Sequence, residues 1–157
     1  MFKGTFHHRL DPKGRLPVPA PFRRQLEGQG EAAVVVTLLD HCLAAYAPSE
    51  WARLEEQLLA MPSLAKSTRA LTRRLASQAA DCVFDVQGRI LIPPPLREAG
   101  GLGGPDVVVV GVLNRFELWA PAAWDAFLQE SEHLLDDASL DLAWPVPPPP
   151  PTSTGKP

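Results

Sequence analysis

Cysteine is scarce in this chain of 157 residues: Cys42 and Cys82 stand alone, in no C-x-x-C pairing. Two thiols so placed provide neither a zinc knuckle nor a disulfide framework, and a reducing cytoplasm is the natural setting. No run of about 18 apolar residues occurs, so no segment reads as membrane-spanning. The start does not read as a signal peptide, because His7, His8, Arg9 and Asp11 interrupt any apolar core there. The chain has no G-x-S-x-G, P-loop, H-E-x-x-H or glycine-rich dinucleotide fingerprint, so it is expected to be no enzyme, with no cofactor and no small-molecule substrate. An excess of basic charge is missing too: 15 Lys and Arg against 18 Asp and Glu leave a net charge of −3. Distribution matters more than the total, because fields are screened beyond about 8–10 Å. Residues 1–24 carry Lys3, Arg9, Lys13, Arg15, Arg23 and Arg24 against Asp11 alone, whereas residues 100–157 carry two basic and eight acidic groups. This is either a basic face with an acidic rear or a solvated distribution with no partner.

What the chain does hold is a duplication. The stretch Leu10-Asp11-Pro12-Lys13-Gly14-Arg15-Leu16-Pro17-Val18-Pro19 to Arg23 returns as Phe84-Asp85-Val86-Gln87-Gly88-Arg89-Ile90-Leu91-Ile92-Pro93 to Arg97, at a spacing of 74. Tyr46-Ala47-Pro48 to Trp51 returns as Trp119-Ala120-Pro121 to Trp124 at a spacing of 73, and Val34-Val35-Val36 returns as Val107-Val108-Val109. Each copy holds an Asp-x-x-Gly turn with Arg directly behind it. Asp accepts the turn's N–H groups and Gly permits the positive φ that such a bend demands. Two cations on rigid turns imply a pseudo-twofold binding surface.

Each half reads strand, turn, strand, short helix, strand, turn, strand, longer helix. The predicted strands are Phe2–Leu10 with its return Leu16–Val18, then Ala33–Thr37 and Leu43–Tyr46 about an Asp40-His41 turn. In the second copy, Val107–Val112 and Phe116–Trp119 flank Asn114-Arg115. Pro17 places its strand at an edge or turns its missing N–H away from a partner. Short helices are predicted at Pro19–Leu26 and Pro93–Ala99, with ends at Gly28 and Gly100. Ser49 is expected to cap a helix bearing Trp51, Leu54, Leu58 and Met61. Ser63 is expected to cap a second, with Leu64, Leu71 and Leu75 on one stripe and Lys66, Arg69, Arg73 and Arg74 elsewhere. Trp124, Phe127, Leu128, Leu134 and Leu135 make the matching stripe after Pro121. The insert between the halves packs on its own chain or on a neighbouring subunit. Seven of the 18 prolines fall in the last 13 residues, an extended tail that cannot bury a core.

Arg15 and Arg89 are the first functional candidates. A guanidinium grips phosphate bidentately or reads the O6 and N7 edge of guanine. Asp11 and Asp85 can accept from the same Arg, which leaves simple bracing of a hairpin as the other role open to each pair. Gly14 and Gly88 shape the bends. Lys13 at the first tip suits phosphate, and its counterpart Gln87 suits adenine or solvent. Arg9, Lys3, Arg23 and Arg24 are either further phosphate contacts or surface charge. No metal site is expected: His7 and His8 point to opposite faces of a strand, and the counterpart of Asp40-His41-Cys42 is Leu113-Asn114-Arg115. Trp51, Trp119 and Trp124 are expected in the core or at subunit contacts.

Met1-Phe2-Lys3-Gly4, Leu10-Asp11, Lys13-Gly14-Arg15 and the Pro19 to Arg23 segment are similar to the MraZ family of bacterial transcriptional regulators. So are Asp85, Gly88-Arg89-Ile90, Pro93, Leu96-Arg97 and Phe116-Glu117-Leu118-Trp119. The likeness runs from Met1 to about Phe127 and includes a D-x-x-x-R motif in each half. Pro17, Pro94-Pro95 and the proline tail depart from the family pattern.

The resemblance implies an α+β, β-rich fold of tandem duplicated AbrB-like swapped-hairpin β-barrel halves, with amphipathic helices after each half. The expected division is 1–62 for the first half, 63–80 for the linking helix, 81–136 for the second half and 137–157 for the tail. It also implies a ring-shaped homo-oligomer, an octamer or larger, in the cytoplasm with the nucleoid. The ring would bind direct repeats in double-stranded DNA through the Arg residues, with the Asp residues bracing, and repress its own cell-division and cell-wall operon. A ring-forming protein-interaction scaffold is the alternative.

Overall fold

The structure is a computed structural model and describes residues 1–135; the expected tail, 137–157, and the last residue of the expected second half lie outside the described residues. Met1–Asp125 form one compact unit. Its elements run β1 (Phe2–Arg9), β2 (Arg15–Pro17), α1 (Ala20–Gly28), β3 (Ala33–Leu39), β4 (Cys42–Tyr46), α2 (Pro48–Ala60) and α3 (Lys66–Ser77). The order then repeats as β5 (Ala80–Val83), β6 (Arg89–Leu91), α4 (Pro94–Ala99), β7 (Asp106–Leu113), β8 (Arg115–Trp119) and the start of α5 (Pro121–Ser131). The fold is mixed α+β with antiparallel sheets.

The two halves exchange strands. β1 pairs with β7 and β5 with β3 in a six-stranded sheet of order β1-β7-β8-β4-β3-β5, while β2 and β6 form a separate ribbon. The registers repeat the duplication: Arg9 faces Asp106 and His8 faces Val107, as Val83 faces Ala33 and Cys82 faces Val34. At the centres, Ala44 faces Glu117 and Leu16 faces Ile90. Each of these two pairs joins a residue to its own equivalent, so a pseudo-twofold axis passes through both.

The return strand departs from expectation. It runs Arg15–Pro17 and pairs with β6, not with β1. Pro17 ends it, having no N–H for a further rung. The Val18 N–H then donates to the Gly88 carbonyl at 3.1 Å, mirrored by Ile92 N–H to the Gly14 carbonyl at 2.9 Å.

Side-chain alternation sends Val34, Val36, Val107 and Val109 to one face of the large sheet, where they meet Leu16, Ile90, Phe22, Leu26 and Leu96. Phe22 is the hub, with ring centroids of Phe2, Phe6 and Phe116 at 5.1, 5.2 and 5.3 Å. On the other face, Val35, Ala44 and Tyr46 pack against Trp51, Leu58 and Leu75, and Val108, Val110 and Trp119 pack with Ala123 and Trp124. Both faces are covered, which is why β3 and β7 read as valine runs rather than alternating strands.

The helical insert lies on its own chain: α2 and α3 cover β3 and β4, and the Thr37 hydroxyl donates to the Leu75 carbonyl at 2.7 Å. Neither serine caps its helix. α2 begins at Pro48, whose fixed φ suits a first turn, and the Ser49 N–H donates to the Glu31 carboxylate at 3.2 Å. α3 begins at Lys66 after Ala65, because Pro62 to Ala65 form a turn whose Ser63 and Leu64 carbonyls accept from Arg69. The α3 stripe also differs: Thr68 and Leu75 are buried, whereas Leu64 and Leu71 are exposed. Gly28 is the last residue of α1 rather than its cap, which is Gln29.

The residues from Ala126 form a second unit. There α5 ends at Ser131, whose hydroxyl donates to the Phe127 carbonyl at 2.6 Å, so the expected Leu134 and Leu135 fall beyond the helix.

Truncating Phe22 removes the hub from between three rings. Phe22→Ala should destabilise the fold by about 3–5 kcal/mol in urea unfolding, whereas Leu59→Ala, at an exposed position of α2, should stay within about 0.5 kcal/mol.

Candidate nucleic-acid interface

Each Asp turn is closed the same way. The Asp11 carboxylate accepts from the backbone N–H groups of Lys13 and Arg15 through Oδ1, both at 2.9 Å, and from the Arg15 Nε through Oδ2. Asp85 accepts from the N–H groups of Gln87 and Arg89, both at 2.9 Å, and from the Arg89 Nε at 2.8 Å. Gly14 and Gly88 donate back to the Asp carbonyls at 2.9 and 3.0 Å and take φ of +85° and +74°. The bends therefore need glycine.

These hydrogen bonds hold both carboxyls below the ordinary carboxylate range. For Asp11 the Arg15 backbone N–H is the largest cause; partial desolvation opposes it, and the Arg15 guanidinium and Lys13 N–H reinforce it. Asp85 has the same causes from Arg89 and Gln87.

In the β2–β6 ribbon, Leu16 and Ile90 are wholly buried. The alternating positions, Arg15 and Arg89 among them, point away from the core on the outer face. The two guanidinium groups flank the axis with side chains 35% and 25% exposed, and the Arg89 Nη1 also lies 3.8 Å from the Asp11 carboxylate. The two Asp–Arg pairs thus form one connected cluster. Lys13 and Gln87 are exposed at the tips.

Not every expected residue joins the cluster. Arg9 borders the first turn but forms an ion pair with Asp106 at 3.5 Å. Lys3 faces Val112 at the far end of β1, about 20 Å of strand away from Arg9. Arg23 is not a loose surface charge: its Nε donates to the Val18 carbonyl at 3.1 Å, and its guanidinium packs against Gly88 of the other half's turn. Arg97, which sequence reasoning did not single out, mirrors it, with Nε on the Ile92 carbonyl at 3.1 Å and its guanidinium against Gly14. The available signal was positional, since both close the short segment after the repeat's Pro.

Other chemistry is muted. Both thiols are buried; burial pushes Cys82 up to about 11 and raises Cys42 as well, so neither is a nucleophile at neutral pH. Among the described residues, no group of three or more His, Cys, Asp or Glu side chains converges, and no helix is long and apolar enough to cross a membrane.

Fold and site together define a duplicated, strand-exchanging protein that presents a paired Asp–Arg cluster on one outer ribbon. The family model described as "MraZ protein, putative antitoxin-like" matches twice, over residues 1–74 and 75–141. A "Transcriptional regulator MraZ" of Ligilactobacillus salivarius is 46% identical over 142 residues, covering 90% of this chain and 96% of that relative. Proteins of the same name from Halothermothrix orenii and Syntrophobacter fumaroxidans are 41% and 44% identical, covering 90% and 82% of this chain and 96% and 85% of the relatives. The chain belongs to the MraZ family of transcriptional regulators, with two MraZ repeats, and is not an enzyme.

The depressed carboxyls set the direction of acid sensitivity. Groups whose folded pKa lies below the unfolded value of about 3.9 stabilise the fold fully above that value, and lose the contribution as pH falls through the folded value. Urea midpoints followed downward from neutral pH should therefore drop below about pH 4 more steeply in the natural chain than in an Asp11→Asn/Asp85→Asn double variant.

Proposed function

We propose that this chain is a sequence-specific DNA-binding repressor of its own cell-division and cell-wall operon, with Arg15 and Arg89 contacting direct repeats upstream of its gene. The observation that carries this reading is the placement of two like Arg turns side by side on one outer ribbon, flanking the pseudo-twofold axis. An Arg already held by its Asp loses less entropy on engaging a base edge or phosphate, and its remaining Nη donors are suited to bidentate contact. Lys13 places a cation at the first tip and Gln87 a neutral amide at the second, so the first turn contributes more to phosphate attraction. Family membership supports the regulatory role.

The strand exchange supports reading the fold as an AbrB-like swapped-hairpin barrel, divided at 1–62, 63–80 and 81–136. Self-association into a ring of eight or more subunits, acting at the nucleoid in the cytoplasm, would engage successive repeats at high effective concentration and multiply affinity by about 10² to 10⁴. Repeat spacing then becomes part of the specificity.

Gel shifts with the chain's own upstream DNA and a scrambled duplex test this reading. Arg15→Ala and Arg89→Ala should each weaken operator binding about 5- to 150-fold, the value of one good bidentate base contact, with little effect on the scrambled duplex. Lys13→Ala should reduce the log–log salt slope by about 0.9 on both duplexes. Equal affinity of the natural chain for both duplexes would instead favour the scaffold reading.

A further inference from the structure

The Arg15 and Arg89 guanidinium groups are each neutralised by their own Asp, so the cluster they form has almost no net charge. Arg9 is likewise paired with Asp106. A phosphate approaching this face therefore gains little long-range attraction from these three arginines, and Lys13 at the first tip is the motif cation left unpaired among the described residues. Apart from Lys13, uncompensated charge beside the turns lies on two further arginines. Arg97 and Arg23 are each tied through Nε to a strand carbonyl, and among the described residues neither makes an ion pair with a carboxylate. Each crosses the pseudo-twofold to the opposite half's turn. A Cβ built on Gly14 would lie 2.6 Å from Cζ of Arg97, and one on Gly88 would lie 2.5 Å from Nη1 of Arg23. Arg97 also lines an open groove beside the first turn, with Arg9, Asp11, Pro12, Gly103 and Gly104.

Resting on the DNA-binding reading, we propose that Arg97 and Arg23 are the phosphate-contacting residues of the turns belonging to the other half. Each binding turn is then a composite: one half supplies the braced, base-reading Arg, and the other supplies the unpaired cation that meets the backbone beside it. The Nε bond to a strand carbonyl fixes the direction of the guanidinium, and the missing Cβ of Gly14 or Gly88 is what allows it to lie against the turn. A side chain there would displace the cation from the phosphate track.

Salt-titrated gel shifts of Arg97→Gln, Arg23→Gln and the double variant test this, with operator and scrambled duplexes. The expected result is weaker binding to both duplexes alike, with the log–log slope lowered by about 0.9 for each single variant and about twice that for the double, and operator preference retained. An unchanged slope in the double variant, with thermal unfolding and oligomeric state also unchanged, would overturn the proposal. Where Arg97→Gln lowers thermal stability, Arg97→Lys decides: a natural slope with the charge restored supports phosphate contact, and a slope as low as that of the Gln variant overturns it. Arg15→Ala measured in parallel separates the two readings. If Arg15→Ala abolishes operator preference while Arg97→Gln leaves the slope intact, DNA binding stands and the composite turn falls; if Arg15→Ala changes nothing, the DNA-binding reading itself falls.

Discussion

A three-residue ladder between β2 and β6 is the contact on which the surface of this protein depends. Strands this short contribute little by themselves, and what holds them is the burial of Leu16 and Ile90 in the core directly beneath. Because these inward residues alternate with Arg15 and Arg89, the same burial that anchors the ribbon also fixes the outward direction of both guanidinium groups. The flanking bonds, Val18 to Gly88 and Ile92 to Gly14, then lock each half's chain onto the other half's turn. Sheet, ribbon and turns are one interdependent structure.

Strand exchange gives that interdependence its scale. β1 has its sheet partner in the second half and β5 has its partner in the first, so neither half can complete its sheet alone. Small β units bury too little surface to be stable by themselves; here the pseudo-twofold merges two of them around one core, with Phe22 at its hub. The symmetry is imperfect where chemistry differs. Glu117 stands where the first half has Ala44, and it accepts from the Arg115 Nε at 3.0 Å and the Trp119 indole N–H at 3.2 Å, so its buried carboxylate is satisfied. Lys13 and Gln87 break the symmetry on the outer side.

The distribution of charge, rather than the net −3, is what the proposed anion-binding face rests on. The aspartates hold the turns in shape and cancel the nearest cations, so they supply geometry at the expense of attraction. On the composite-turn proposal, these tasks are separated between the ion-paired Arg15 and Arg89 and the unpaired Arg23 and Arg97. Motif reading found Asp11, Arg15, Asp85 and Arg89, because their hydrogen bonds close within five residues of chain. It left Arg23 open between phosphate contact and surface charge and gave Arg97 no role, since the glycines that both pack against lie on the opposite turn.

The linear chain by itself determined the duplication, the nature of each turn and most element positions. These follow from local preferences: φ restrictions at Gly and Pro, the Asp carboxylate's reach to nearby N–H groups, and the period of apolar residues. Helix starts were misplaced at Ser49 and Ser63, where Glu31 and Arg69 satisfy the backbone from a distance. The tertiary structure alone decided that β2 pairs with β6 rather than returning along β1, and that Arg23 and Arg97 cross to the opposite turns. Strand pairing and side-chain reach between distant segments depend on how a whole core closes, and no local pattern specifies which of two similar halves provides the partner.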